Sequence, residues 1–433
     1  MKISIITLGC PKNEVDSEIL ARKLIEENYQ IINNLEESEI IIINTCAFIT
    51  DAIKEAIDVI LNCVKFKKRI IVTGCLVSRF GEKKLKKLFP EVEAFFDTYN
   101  FLKILNYLKG EKFSKEKKFI YNSNFLRPVS KTFKYVKISE GCSLSCSYCT
   151  IPKIKGKQFS RPVYDIVEEI KKLVDNGTKE IILVAQNTGS YGYDLKDGTN
   201  LVKLLKEILK INDLKWLRVL YLYPEFITEE LLELTFHEKF CSYLDIPIQH
   251  IDSRILKLMN RKSTEKKLYQ LFEKIKVKYS HIFLRTTVMV GFPTESEHEF
   301  QKLLKFIKDI EFYNLGVFKY SKEEGTKAEK LKDDVPKREK TRRAKEILKT
   351  QKKIVKKLNK KLVGKKLNVL VEEKFISSGA VLTGRTEFQA PEIDGITFIT
   401  SKIPLTNNIY EAEIKKFKDY DLFGEICFLD KKN

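Results

Sequence analysis

The chain has 433 residues, 43% hydrophobic and 32% charged, with few Gly and Pro and a formal charge of +20. This composition excludes a disordered or low-complexity protein and suits two or three domains around a sizeable core. No run approaches the ~20 apolar residues of a membrane span, and nine cysteines with no signal peptide point to thiols serving metals or catalysis in a reducing compartment, so a soluble, cytoplasmic protein is expected.

Lys2 to Leu8 is a β-branched run ending in Gly9-Cys10, and Asp16 to Asn28 follows with Ile19, Leu20, Leu24 and Ile25 on one helical face. Met1 to Cys10 ends in Leu-Gly-Cys as a lipoprotein leader does, but its apolar stretch is too short for one. The pattern repeats with a strand from Glu39 to Asn44, ending at Cys46, and a helix from Asp51 to Val64. A third unit has a strand from Arg69 to Val72, then Thr73-Gly74-Cys75 and a helix from Lys83 to Leu88. Apolar strands alternating with helices predict a doubly wound parallel sheet. Cys10, Cys46 and Cys75 then share one place in three units, past the carboxyl end of a strand, where open sheets hold ligands. Small residues are also common at tight strand ends, and Cys63 reads as core.

After a Lys-rich connection at Lys109 to Lys118, six strands are predicted: Phe133 to Ile138, Glu180 to Ala185, Trp216 to Tyr221, Tyr243 to Ile248, Ile282 to Val290 and Asn314 to Tyr320. Helices such as Val163 to Val174, Leu201 to Leu209 and Glu299 to Ile310 separate them, which predicts a partial (βα)6 barrel with its chemistry at the strand ends. Past the first strand stands Cys142-Ser143-Leu144-Ser145-Cys146-Ser147-Tyr148-Cys149, a CxxxCxxC loop. Three thiols this close can turn to one point, and with no fourth nearby they suit a cubane with one open iron. A zinc loop completed by a distant residue, or three unrelated buried thiols, are the plainer readings. Gln186-Asn187-Thr188, Tyr223-Pro224, Gln249-His250 and Gly291-Phe292-Pro293 end the other strands and suit a small polar cofactor. Arg285, if it faces the lumen, could meet a carboxylate, whereas His237, His281 and His298 lack ligand spacing.

Residues 332–366 hold 16 Lys/Arg against 4 Asp/Glu. Within them Pro336 to Leu362 is a basic helix with an apolar stripe of Ile347, Ile354, Leu358 and Leu362, which suits either a phosphate-rich partner or water. Short strands follow at Lys366 to Glu372, Gly379 to Gly384, Ile396 to Thr400, Ile409 to Lys415 and Leu422 to Phe428. They predict a small antiparallel β-barrel of oligonucleotide-binding type, able to bind RNA or dock a macromolecule; Cys427 reads as structural.

The CxxxCxxC loop after the first barrel strand resembles the radical S-adenosylmethionine superfamily. The added Cys10/Cys46/Cys75 sheet and the terminal TRAM-like barrel look like its methylthiotransferase branch. Thr7-Leu8-Gly9-Cys10-Pro11-Lys12-Asn13-Glu14-Val15-Asp16-Ser17-Glu18 is similar to the RimO-type signature, as is Gly384-Arg385-Thr386 with Gln389-Ala390-Pro391-Glu392-Ile393-Asp394-Gly395. TRNA-modifying members usually carry Gln-Met where Pro11-Lys12 stands. Asn187 replaces the usual Asp and Thr294 a usual Gly.

The resemblance implies domains at 1–120, 128–355 and 362–433. It also implies two 4Fe-4S clusters, on Cys142, Cys146 and Cys149 and on Cys10, Cys46 and Cys75, with S-adenosylmethionine bound near Gln186, Arg285 and Gly291. The implied activity adds a methylthio group to the β-carbon of an aspartate in ribosomal small-subunit protein twelve, with an electron donor and a sulfur source as partners and RNA contact possible. An adenosine of tRNA is the alternative substrate, and a zinc-bearing RNA-binding protein the alternative of another class.

Overall fold

The computed structural model describes residues 1–116, 121–124, 132–375, 381–402 and 405–427. The connection expected through Lys118, the boundaries at 120, 128 and 433, and the ends of the strands expected at 379–384 and 422–428 therefore fall partly outside the described residues. Among these residues no helix is long and apolar enough to cross a membrane.

The first sheet is five-stranded and parallel, in the spatial order Gln30–Ile31, Lys2–Thr7, Ile40–Thr45, Arg69–Gly74, Ala94–Phe96. Ile40–Thr45 is buried throughout, because helices cover both faces. Ile40 and Ile42 pack with the helix Pro11–Glu26, and Ile41 and Ile43 with the helix Thr50–Val64. The first helix begins five residues before the predicted Asp16, since Pro11 can open a helix that needs no N–H there. Strand order reverses between Lys2–Thr7 and Ile40–Thr45, which opens a crevice at their carboxyl ends.

Six parallel strands build the partial barrel in chain order. Phe133–Lys137, Glu180–Val184 and Trp216–Val219 form one ladder, and Tyr243–Asp245, Phe283–Val290 and Asn314–Lys319 another. They join where the Cys241 N–H donates to the Leu217 carbonyl at 2.9 Å and the Leu222 N–H to that of Asp245 at 2.9 Å. An open barrel leaves two unpaired edges, and both are covered. The helix Pro11–Glu26 lies on Phe133–Lys137, and the basic helix Lys337–Lys360 lies on Asn314–Lys319. Gln351 Nε2 on that helix donates to the Phe312 and Tyr313 carbonyls at 2.7 and 3.2 Å. Ile347 and Ile354 are buried beneath it while Lys345, Lys349, Lys353 and Lys356 face water.

The terminal strands Lys366–Phe375, Val381–Thr386, Thr397–Thr400, Asp421–Ile426 and Ile409–Lys418 close a barrel in that order. Its pairings are antiparallel except Thr397–Thr400 with Asp421–Ile426, which run parallel. The loop after Val381–Thr386 enters the amino-terminal end of the partial barrel. Phe388 stacks on Phe283 with centroids 3.9 Å apart, Tyr243 Oη donates to Asp394 at 2.8 Å, and fully buried Glu180 accepts from Arg218 and Arg385 at 2.6 Å each. One hydrophobic cluster thereby runs through all three parts, from Ile19 and Ile42 through Tyr135 and Trp216 to Leu370 and Phe388.

Candidate active site at the strand ends

Cys10 caps the helix Pro11–Glu26, Cys46 follows Ile40–Thr45, and Cys75 opens the helix Cys75–Phe80. The close approach of these turns explains Gly9, whose φ is +97°: a Cβ there would lie 2.5 Å from the Cys46 Cβ. Asn13 Nδ2 ties two of the turns together by donating to the Leu8 and Thr45 carbonyls at 2.8 and 3.1 Å.

The CxxxCxxC loop is held by its own backbone and by a distant turn. The Cys142 N–H donates to the Gly156 carbonyl at 3.1 Å, the Cys149 N–H to that of Cys146 at 3.1 Å, and the Ser147 N–H to that of Met259 at 2.9 Å. Gly141, at φ +74°, has no room for a Cβ, which would meet the Lys155 and Gly156 carbonyls at 2.6 and 2.8 Å. Thr150 Oγ1 donates to the Phe48 carbonyl at 3.0 Å, which ties this loop to the turn after Cys46.

Buried ion pairs fix the sheet on the barrel. Lys137 Nζ lies 2.5 Å from Asp16 and 2.7 Å from Glu140, Lys134 lies 2.5 Å from Glu18, and Arg79 lies 2.9 Å from Glu323. Burial works against the Glu140 charge, but Lys137 and Lys155 outweigh it and hold that carboxylate far below its usual range. Asp16 and Glu18 of the amino-terminal signature thus serve as docking residues.

Docked this way, all six cysteines line one cavity of about 400 Å³. Its other walls come from the barrel strand ends: Gln186 and Asn187, Tyr221 and Tyr223, Pro247 and Gln249, Thr287, and Phe318. Burial pushes the Cys75 and Cys149 thiols up to about 12 and raises those of Cys46 and Cys142, so ligation must displace their protons. Among the described residues no three His, Cys, Asp or Glu side chains stand close enough to share one metal ion. A cubane asks for less, since its three cysteines bind three different irons.

Polar groups on the wall fit a polar cofactor beside such a cluster. Gln186 Nε2 donates to Glu140 at 2.7 Å, but Gln186 Oε1 and both side-chain atoms of buried Asn187 have no hydrogen-bond partner. Arg285 and Gly291 stand elsewhere. Arg285 faces the lumen two residues before Thr287, where the entering loop has already filled it, and the carboxylates it meets are Asp394 and, at 3.7 Å, Asp245. The strand runs on for three residues past Thr287, so Gly291 turns outside the cavity, against Lys340 of the basic helix. His250 is likewise buried away from the cavity and accepts from the Asp252 N–H at 3.0 Å.

The sequence assigned no site role to several wall residues. Arg261 follows a short helix with no motif around it, yet its guanidinium lies 3.8 Å from the Tyr223 ring centroid and donates to Tyr148 and Pro247. Lys12, in the first turn of the helix Pro11–Glu26, and Lys155, at the end of the helix Ile151–Lys155, flank the Cys10/Cys46/Cys75 triad; the sequence marked Lys12 only as part of the amino-terminal signature.

Residues 2–97 match the family described as uncharacterized protein family UPF0004, residues 136–307 the radical SAM superfamily, and residues 363–427 the TRAM domain. The chain is 43% identical to the ribosomal protein uS12 methylthiotransferase RimO of Aquifex aeolicus (strain VF5), over 98% of this chain and 97% of the relative. It is 42% identical to the RimO protein of Caldicellulosiruptor saccharolyticus, over 98% and 100%, and 40% identical to that of Clostridioides difficile (strain 630), over 99% of each. Among solved structures, the radical S-adenosylmethionine methyltransferase TsrM from Kitasatospora setae shares the fold with a TM-score of 0.56 at 14% identity, over 73% of this chain and 72% of that one. The cobalamin-dependent radical enzyme OxsB does so with a TM-score of 0.52 at 12% identity, over 82% and 56%. Near-complete likeness in sequence, joined to two cysteine triads on one cavity, makes this chain a member of the RimO-type radical S-adenosylmethionine methylthiotransferase family.

Proposed function

We propose that this chain transfers a methylthio group to the β-carbon of an aspartate in ribosomal protein uS12, with Cys142, Cys146 and Cys149 holding one 4Fe-4S cluster and Cys10, Cys46 and Cys75 the other. The observation that carries this reading is the opening of both triads onto one cavity at the sheet's switch point and the barrel's strand ends. A β-carbon beside a carboxylate offers no usable acidity, so acid–base residues alone will not functionalise it. When bound, the clusters and S-adenosylmethionine supply the one-electron cleavage and the sulfur that this bond requires.

The chain's own residues bind, orient and exclude water. Cys142, Cys146 and Cys149 would hold one cluster and Cys10, Cys46 and Cys75 the other, each set supplying three thiolates from the cavity wall. Asn187 and Gln186 offer the unpartnered polar atoms that a small polar cofactor needs beside the radical triad. Phe48, Leu144, Ile151, Leu222 and Phe318 line the rest with apolar surface, which keeps water from the reacting carbon. Domains at 1–120, 128–355 and 362–433 divide the work: auxiliary cluster, radical chemistry, and docking of substrate or ribosomal RNA. The reaction consumes electrons and sulfur, so a reductant and a sulfur source are its partners, and a ribosomal substrate assigns it to the cytoplasm.

Deleting the gene in its host and measuring uS12 mass beside tRNA nucleosides tests the reading. Loss of the methylthio group from uS12 alone is expected. Its loss from tRNA with uS12 unchanged would overturn the substrate. Anaerobically purified protein that is colourless and carries zinc in place of iron and sulfide would overturn the enzyme reading.

A further inference from the structure

Among the described residues the cavity wall has three basic side chains, Lys12, Lys155 and Arg261, and no Asp or Glu. Two of the three are already engaged. Lys155 Nζ lies 3.4 Å from Glu140 and 3.9 Å from Asp16. Arg261 donates to the Pro247 carbonyl at 2.6 Å and to Tyr148 Oη at 3.3 Å, with the Tyr223 ring against its plane. Lys12 differs. It is only 9% exposed, yet among the described residues it makes no hydrogen bond and no ion pair with a carboxylate; its ammonium lies 4.4 Å from the Tyr221 ring centroid, and the charge that most favours it is that of the neighbouring Cys10 thiolate. A buried ammonium with no carboxylate or hydrogen-bond acceptor against it is incompletely compensated, because one aromatic face replaces only part of its lost hydration and a thiolate committed to a metal has given up part of its charge.

The chain holds this arrangement in place at a cost to its backbone. Tyr221, a bulky residue, sits at φ +62° in the left-handed region. Its N–H donates to Asp245 at 3.0 Å, and its carbonyl accepts from the Thr188 N–H at 3.1 Å. Those bonds fix the ring under Lys12.

We propose that Lys12 receives the side-chain carboxylate of the target aspartate and thereby selects a carboxylate-bearing substrate. This rests on the uS12 reading above. Chemistry places the contact: in aspartate the carboxylate carbon is bonded directly to the β-carbon, so a cation that fixes the carboxylate also fixes the reacting carbon. That carbon must come to the triad that supplies sulfur, and Lys12 follows Cys10 by two residues on the same wall. The radical triad has Arg261 beside it, so an anionic group of the cofactor has its own cation there. Lys12 is a substrate-binding residue; it breaks no bond itself.

Equilibrium binding and steady-state kinetics of the holoenzyme test this, with uS12 and with uS12 carrying Asn at the target aspartate. A charge-assisted contact predicts that the wild-type enzyme prefers the Asp form by about 10- to 100-fold in Kd. Lys12→Met should bind both forms alike, near the wild-type affinity for the Asn form, and Lys12→Arg should keep most of the preference. Iron and sulfide content should match wild type in both variants. A Lys12→Met enzyme that keeps the Asp preference, or loses only the iron of the auxiliary triad, would overturn the proposal. Equal weakening toward both forms would do so too, since it assigns Lys12 to the sulfur supply or to packing. The wild-type ratio needs no folded variant, and a preference below about threefold sinks the idea by itself. A wild-type enzyme that leaves uS12 unmodified would instead remove the substrate reading.

Discussion

Replacing Asp16 with Asn probes the joint that brings the two triads together. Asp16 and Glu140 together neutralise Lys137 and Lys155 in a buried cluster, with Asp16 2.5 Å from Lys137 and 3.9 Å from Lys155. Burial opposes the Lys137 charge, but its two carboxylates outweigh burial and hold its pKa above the usual value. Breaking a buried pair leaves an uncompensated charge and costs about 3–5 kcal/mol. Glu140 still neutralises one lysine, and the Asn carbonyl still accepts from Lys137, so a loss of about 2–3 kcal/mol is expected. Trp216, the chain's only tryptophan, lies in the core cluster shared by all three parts, so its emission follows urea unfolding of the joint. Asp16→Asn with Lys137→Met restores charge balance, and the double-mutant cycle should show a coupling of about 1–3 kcal/mol. Methylthio transfer should fall more than deoxyadenosine formation, because the radical triad keeps its own loop contacts. A single variant that loses less than about 0.5 kcal/mol, with additive behaviour in the double, would refute this account of the joint.

The other predictions concern metal, packing and pH. Cys75→Ala should lose about half the iron yet still form deoxyadenosine, whereas Cys142→Ala should lose a similar share and form none; deoxyadenosine formation unchanged in Cys142→Ala would contradict the division of the triads. Phe388→Ala removes a buried ring stacked on Phe283 and edge-on to Tyr313, so unfolding in urea should show about 3–5 kcal/mol less stability, and a wild-type midpoint would mean the loop does not fill the lumen. Burial pushes Asp245 up to about 6 against the pull of Arg285. The folded state therefore holds this proton more tightly than the unfolded chain, and stability drains away as pH rises from about 4 to about 6, by roughly 3 kcal/mol. Asp245→Asn lacks that slope, so its stability relative to wild type should rise across the window and level off above it; a difference independent of pH would count against the shift.

The parts of the site legible in the sequence were those set by short-range geometry. Cys142, Cys146 and Cys149 lie within eight consecutive residues, so the loop alone brings them together. Cys10, Cys46 and Cys75 are far apart, but each follows a strand in a repeated unit, and parallel pairing aligns equivalent strand ends. Gln186 was readable for the same reason. The sequence left open whether Arg285 faces inward, and the alternating burial along Phe283–Val290 decided it.

What fills the lumen at the depth of Arg285 is not local. A loop about a hundred residues later brings Asp394 and Phe388 there, and no strand pattern announces that entry. Gly291 was misplaced because pattern marks a strand's end but not how far the strand overshoots the cavity. Lys12, Lys155 and Arg261 matter through the charges around them, and those come from three separate stretches of chain. Sequence by itself determined two cysteine triads and the strand ends that carry them, because backbone pairing and short loops are local physics. Only tertiary packing, through the ion pairs at Asp16, Glu18 and Glu323, decided that both triads share one cavity and that Lys12 stands in its wall with no carboxylate beside it among the described residues.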